Sequence, residues 1–298
     1  MVEFQKNLKY AKTIIATSKV IILLTGSSVV IFDRCFNFLR KISNLKHVYQ
    51  GYVSPDEKHI LLVSNLNRIH ILSLENLTLV ESYTVRKPYS GNLEGRACWC
   101  SKNSFLLPIQ NDTTMLSMLR KVTLFPDITS KDIFPERFWI IYIKYIESKN
   151  CSLIIGLDRD SHNWNIICLD NKDEYTIHPI LNFNEAVLGV EVLSDSNLIL
   201  LTGESKIHCC DFNGIPSKLL GNYPIDIVEM FGEFPLFCKT SKHNSEIAYI
   251  GLQNALIMWN SKYKKAINSY HFEFGARDIE ELDDIILVST CNGIKMLS

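Results

Sequence analysis

Long apolar runs are missing from this chain. A membrane-spanning helix needs about 20 consecutive apolar residues, and the best candidate, Val20 to Phe32, is interrupted at Gly26-Ser27-Ser28. Two buried strands joined by a tight turn account for that stretch better. The opening residues, Met-Val-Glu-Phe-Gln-Lys-Asn-Leu-Lys, lack the apolar core of a secretory signal. Charge of one sign is missing as well: 31 Lys and Arg stand against 32 Asp and Glu, a formal net charge of −1. That balance provides no global field for nucleic acid or anionic lipid, and neither is expected as a partner. No CxxC pair occurs among the nine cysteines. Most of them fall in apolar runs (Cys151 before Ser-Leu-Ile-Ile, Cys168 after Ile-Ile, Cys238 after Leu-Phe), where a free thiol behaves as a small buried hydrophobe. A disulfide framework is therefore not expected, and reduced thiols predict a cytoplasmic location.

Catalytic and metal signatures are absent in the same way. Neither GxGxxG nor GxxxxGK[ST] is present, nor the GxSxG elbow, nor HExxH. Asp158-Arg-Asp160-Ser-His162 starts like a calcium loop, but Asn163 stands where the loop needs Gly and Leu169 where it needs Glu. In His208-Cys209-Cys210, strand alternation sends Cys209 to the opposite face from its neighbours. No catalytic residue, metal or cofactor is expected.

What the chain does have is a rhythm of short strands. Val48 to Val53 reads as a strand, and Ser54-Pro55-Asp56-Glu57-Lys58 as a turn in which Pro55 presets φ and Ser54 and Asp56 cap local amides. Ile60 to Ser64, Ile69 to Leu74 and Leu77 to Tyr83 follow as three more strands. Their connections are too short for a crossover helix, so the unit is an antiparallel meander. It resembles the WD-repeat and its YVTN-type relatives in the Ser-Pro-Asp turn and the Ile-Leu-Leu-Val and Ile-His-Ile-Leu-Ser-Leu strands. The position where that family carries Trp-Asp appears as Val-Ile-Phe-Asp33, Ile-Leu-Ser73, Ile-Cys-Leu-Asp170, Cys-Cys-Asp211, Met-Trp-Asn260 and Met-Leu-Ser298. These markers recur at about the 40–45 residue period of WD repeats, and the longer step from 73 to 170 has room for two units. The hidden unit falls around Ala97 to Leu119, with Phe105-Leu-Leu-Pro-Ile as its second strand. Gly-His dipeptides are absent and only Trp259-Asn260 approximates Trp-Asp, so the repeats are degenerate.

The fold class expected is all-β: one domain over residues 1–298, a closed β-propeller of about seven four-stranded antiparallel blades. The last unit stops after its third strand, at Met296-Leu297-Ser298. The N-terminal segment Val2 to Lys9 is expected as the strand that completes it, pairing with Gly293 to Leu297. The stretches Phe125 to Arg137 and Asn222 to Phe234 read as long loops with room for short helices.

The resemblance implies a non-catalytic protein-protein interaction module, with another protein as partner on the top-face loops. His47, Arg96, Arg137 and Arg277 stand near the starts of first strands, where the architecture implies a ring around the central channel. Tyr89 and Trp139 supply aromatic area near them. Aromatic residues and Arg are enriched at binding hot spots, so these six are the candidate partner-binding residues. Blade packing would equally explain Trp139, and solvated loop charges Arg96 and Arg137. Two other functions stay open: a lactonase-type enzyme binding a small molecule in the central channel, and a bacterial immunity or defence component that binds a partner toxin.

Overall fold

A computed structural model describes the chain apart from residues 1–3, 5–8, 65–66, 92–95, 171, 183–186, 195–196, 203–205, 212–215, 223–235, 261–262, 264, 273–274, 284, 291 and 298, and from 193 to 222 it describes backbone only. The regular secondary structure of the described chain is almost entirely antiparallel strand. A three-residue 3-10 turn at Glu147–Lys149 and the helical backbone of Phe4 are the helical elements among the described residues. No helix there is long and apolar enough to cross a membrane. Two compact units divide the chain: Met1–His162 with Ile167–Ile177, and Asn163–Ile166 with His178–Ser298.

In the first unit, β1 (Thr13–Ala16), β2 (Val20–Leu24), β3 (Val29–Asp33) and β4 (Phe38–Ile42) form a four-stranded meander, and β5 (Val48–Val53), β6 (His59–Ser64), β7 (Arg68–Ser73) and β8 (Thr78–Thr84) a second. The apolar run at Val20–Phe32 is thus the predicted strand pair, turned at Gly26 with φ +87°. The turn before β6 is built as its residues dictate. Ser54 Oγ donates to Asp56 at 2.7 Å and accepts from the amides of Lys58 and His59 at 3.2 and 2.9 Å. The second sheet is apolar on both faces. Ile60, Leu62 and Leu72 pack with Ile22, Leu24 and Ile31 of the first sheet, while Leu61, Ile69 and Ile71 pack with Trp99, Phe105 and Ile109 of the next. That is why its second strand reads Ile-Leu-Leu-Val rather than alternating. Each such fully buried side chain contributes about 1.5–3 kcal/mol.

The third sheet carries two meanders on one backbone. Its strands are β9 (Tyr89–Gly91), β10 (Cys98–Trp99), β11 (Ser104–Asn111), β12 (Ser117–Thr123), β13 (Thr129–Ile146), β14 (Cys151–Asp158), β15 (Asn163–Asp170) and β16 (Tyr175–Asn182). β9 and β10 lie along the same side of β11, at its two ends. The hidden unit is present, but the loop expected from Phe125 to Arg137 is not. From Thr129 onward that stretch belongs to the 18-residue β13, which pairs with β12 up to Phe138 and with β14 from Phe138 to Ile146. Within it, Pro135 lacks a ladder N–H. It sits where Leu119↔Phe134 gives way to Ser117↔Phe138, a bulge in which no ladder bond is required of it.

The second unit contains β17 (Val187–Ser194), β18 (Asn197–Thr202), β19 (Lys206–Asp211) and β20 (Pro216–Asn222) as one sheet, and β21 (Phe237–Thr240), β22 (Ile247–Gly251), β23 (Ala255–Asn260) and β24 (Lys265–His271) as another. The last sheet holds β25 (Ala276–Leu282), β26 (Ile285–Thr290) and β27 (Gly293–Leu297). Tyr249 and Leu256 pack with Ile279 and Val288 in its core. The predicted three-strand ending is therefore present. The strand expected at Val2 to Lys9 falls mostly outside the described residues; at Phe4 the backbone is helical rather than extended, and its ring packs on Phe32 and Phe36 at 5.1 and 4.5 Å. The loop expected at Asn222 to Phe234 lies, after Asn222, outside the described residues.

Candidate interaction surface

Three of the six candidate residues meet on and beside β13. Strand alternation turns Phe138 and Ile140 into the core and leaves Trp139 between them with 48% of its surface exposed. Arg137, two positions earlier, is held in place by a carboxylate. Its Nε lies 3.1 Å from both Asp158 oxygens and its Nη2 2.5 Å from one. Asp158 is only 2% exposed, and its hydrogen bond from Arg137 holds its carboxyl below the usual range. The expected solvated loop charge is thus, at Arg137, one half of an ion pair inside a strand. Its guanidinium also covers the Phe138 ring at 5.3 Å.

Tyr89 is fixed on the other side of the bulge. Its hydroxyl donates to Glu136 at 2.8 Å, and Glu136 also accepts from Asn111 Nδ2 at 3.0 Å and Thr114 Oγ1 at 3.1 Å. These bonds, the one from Asn111 first, lower the Glu136 pKa. Arg120 lies over the Tyr89 ring at 5.9 Å and forks onto Asp132 at 2.6 and 3.1 Å. Lys121 and Lys131 bind Asp173 at 2.7 and 3.3 Å. Met115, in the turn between β11 and β12 beside this bulge, is 52% exposed.

The remaining candidates stand on other elements. Arg96 is half-buried just before β10, and His47 is exposed before β5 with a left-handed φ of 55°. Arg277 is exposed on β25, in the other compact unit. The Asp158–His162 stretch is a tight turn whose first carboxylate is taken by Arg137 and by the Asp160 amide at 2.9 Å.

Sequence reasoning missed a second charged network, in the second unit. Lys239 on β21 reaches Asp278 at 3.2 Å, Glu280 at 3.3 Å and the Ile279 carbonyl at 2.6 Å. Lys242 also pairs with Glu280. Glu281 accepts from Ser241 Oγ at 2.9 Å and Tyr249 OH at 2.6 Å. Burial works to lower the Lys239 pKa, but the carboxylates of Asp278 and Glu280 outweigh it and raise it. Desolvation pushes Asp278 up. The available signal was a lone cation in Leu236-Phe-Cys-Lys-Thr and the adjacent acids Glu280-Glu281. Nothing in the sequence pairs them, because the partners stand about 40 residues apart on first strands of successive meanders.

One further concavity, about 210 Å³, opens in the first unit among Cys100, Lys121, Tyr145, Asn150, Cys151 and Asp173. Burial pushes Cys100 up to about 11 and neighbouring Cys98 to about 12, which keeps both thiols protonated at neutral pH. Cys35, Cys98, Cys100 and Cys151 are free thiols. Among the described residues no three His, Cys, Asp or Glu side chains are placed to hold a metal ion.

No family model and no curated protein matches the chain in sequence. Solved structures match it in fold. The β-propeller domain of Cps50 (Swd1) from Myceliophteria thermophila superposes with a TM-score of 0.73 at 13% identity, covering 97% of each chain. U3-55K gives a TM-score of 0.69 at 9% identity over 94% of this chain and 88% of that one. The WD40 repeats of RRP9 give 0.69 at 9% over 94% and 87%. The chain has a WD-repeat-like β-propeller fold.

Proposed function

We propose that this chain is a rigid protein-interaction module whose partner surface is centred on Trp139. The observation that carries the reading is one exposed aromatic side chain on a strand braced by an ion pair. Trp139 presents nearly half its surface, between two buried neighbours, on a strand pinned by the Arg137–Asp158 fork. A large aromatic held ready in its bound position loses little entropy on association, which is how interface anchors gain affinity. Tyr89 extends the surface, Arg96, His47 and Arg277 are further contacts, and Arg137 positions Trp139. The two units are read as one domain, a closed ring of about seven blades; near-complete coverage of a single propeller domain supports this. The partner is a protein, met in a reducing, cytoplasmic setting. The test is affinity capture from the native host with the wild-type chain and Trp139→Ala as parallel baits, read by mass spectrometry. A protein retained by the first bait and lost from the second is expected. Identical captures would remove Trp139 from the interface, and turnover of a lactone by the purified chain would replace this reading with the enzymatic one.

A further inference from the structure

The outer strand of the first sheet differs in charge from the rest of a nearly neutral chain. From Arg34 to Pro55 the sequence contains Arg34, Arg40, Lys41, Lys46 and His47 and no Asp or Glu. β4 lies at the end of its sheet, and the four residues Phe38 to Lys41 are all exposed. Pairing with β3 runs Phe32↔Phe38 and then Ile31↔Arg40, so Leu39 is bulged out, 43% exposed beside Phe38 at 45%. The same bulge exposes Val80 on β8 and Ile267 on β24, each at 45%. An apolar knob is thus a repeating feature of the outer strands. The flanking pair of adjacent cations, with no acid in the strand, belongs to β4.

Among the described residues, nearby counter-charges do not neutralise this edge. The Asp33 carboxylate is turned onto its own loop, accepting from the amides of Cys35 and Asn37 at 2.9 and 2.8 Å and from Asn37 Nδ2 at 2.9 Å. Glu75 is exposed in the neighbouring turn, where Arg40 Nη1 reaches the Asn76 carbonyl at 3.4 Å. Lys41 and Lys46 have no ion-pair partner among the described residues. Charges on a sheet edge often serve to keep other strands away. That role does not explain two large apolar side chains exposed at the same edge.

We propose that β4 is a docking edge for an extended, acidic segment of another protein. The segment adds to β4 as a further strand, its carboxylates on Arg40, Lys41 and Lys46 and its apolar residues against Phe38 and Leu39. An edge strand offers unpaired N–H and C=O groups along one side, and another backbone satisfies both kinds, whereas a lipid surface or phosphate chain supplies acceptors alone. Phe38 stands edge-on to Phe32 at 6.0 Å and 76°, which suits packing against aliphatic side chains rather than stacking on bases. This edge is separate from the Trp139 surface and does not depend on it.

The experiment uses the full chain and a short fluorescein-labelled peptide that alternates glutamate with valine and leucine, followed by anisotropy. Saturable, salt-sensitive binding is expected. Arg40→Glu with Lys41→Glu should weaken it about tenfold or more, and Lys41→Gln alone by a smaller factor, both at unchanged melting temperature. Trp139→Ala should leave it intact, so the two surfaces fail independently. A peptide of the same charge with proline at its centre should lose binding, since it cannot complete the ladder. Equal affinity for the proline peptide, indifference to both charge variants, or tighter binding of a single-stranded oligonucleotide or phosphatidylserine vesicles would each overturn the proposal.

Discussion

Two charged networks of similar composition serve opposite ends. On β13 of the first unit, Arg137 and Glu136 are held from the side by Asp158, Tyr89, Asn111 and Thr114, and the strand they brace exposes Trp139. In the second unit, Lys239 and Lys242 meet Asp278 and Glu280 while Glu281 is satisfied by Ser241 and Tyr249, and Glu280 and Glu281 are buried. The first network points its stiffness outward, at a side chain that water reaches. The second is closed on itself, each carboxylate accepting a hydrogen bond from within the group. Counting ion pairs would not separate them; what separates them is whether an exposed anchor stands on the braced strand.

The largest effect should come from breaking the closed network. Lys239→Met leaves Asp278 and Glu280 without their central cation, and a cost of about 3 kcal/mol is expected. That is the lower end for a broken buried pair, because 30% of the Lys239 side chain reaches solvent. Chemical denaturation measures it, and combining Lys239→Met with Glu280→Gln should recover part of the loss. Arg137→Ala should cost less, about 2 kcal/mol, since it strands a buried acceptor that still keeps the Asp160 amide. If the Arg137 variant proved the more damaging of the two, the contrast between an open and a closed network would be wrong.

Proton linkage sharpens the same contrast by its sign. Asp158 and Glu136 are lowered in the folded chain, so their contribution is complete above the ordinary carboxylate pKa and is lost as pH falls through the depressed values. Asp278 is raised, so its contribution is complete below the ordinary 3.8 and is lost as pH rises through its elevated value. Asp158→Asn should therefore flatten the acid limb of a stability–pH profile, and Asp278→Asn the rise in cost on the neutral side of it. The same slope change in both variants would contradict the assignment. The smallest effect belongs to the thiols. Reducing agent should leave the melting temperature unchanged, and alkylation under native conditions should reach exposed Cys35 well before buried Cys98.

The parts of this molecule that could be read from sequence are those whose signals are local. The Ser54-Pro55-Asp56 turn declares itself in three residues, and the strands from β5 to β8 fall within one residue of their expected ends. The continuity of β13 was hidden because Pro135 is a breaker everywhere except at a bulge, and the bulge is a property of how β12 meets it. The candidate site was legible as a set of residues, but not in how the fold holds them. Trp139 was recognisable as an aromatic near Arg137, but the fork onto Asp158 links residues 21 apart in sequence. The Lys239 network joins positions about 40 apart and left only an odd cation in an apolar strand as its trace.

The most direct test of the central claim is the dissociation constant of a purified partner for the wild-type chain and for Trp139→Ala, measured by titration calorimetry with melting temperatures recorded alongside. Among the described residues the Trp139 side chain makes no hydrogen bond, so stability should change by no more than about 0.5 kcal/mol. Affinity should fall by about 2 kcal/mol or more, roughly thirtyfold. An unchanged dissociation constant, or a loss of affinity matched by an equal loss of stability, would contradict it.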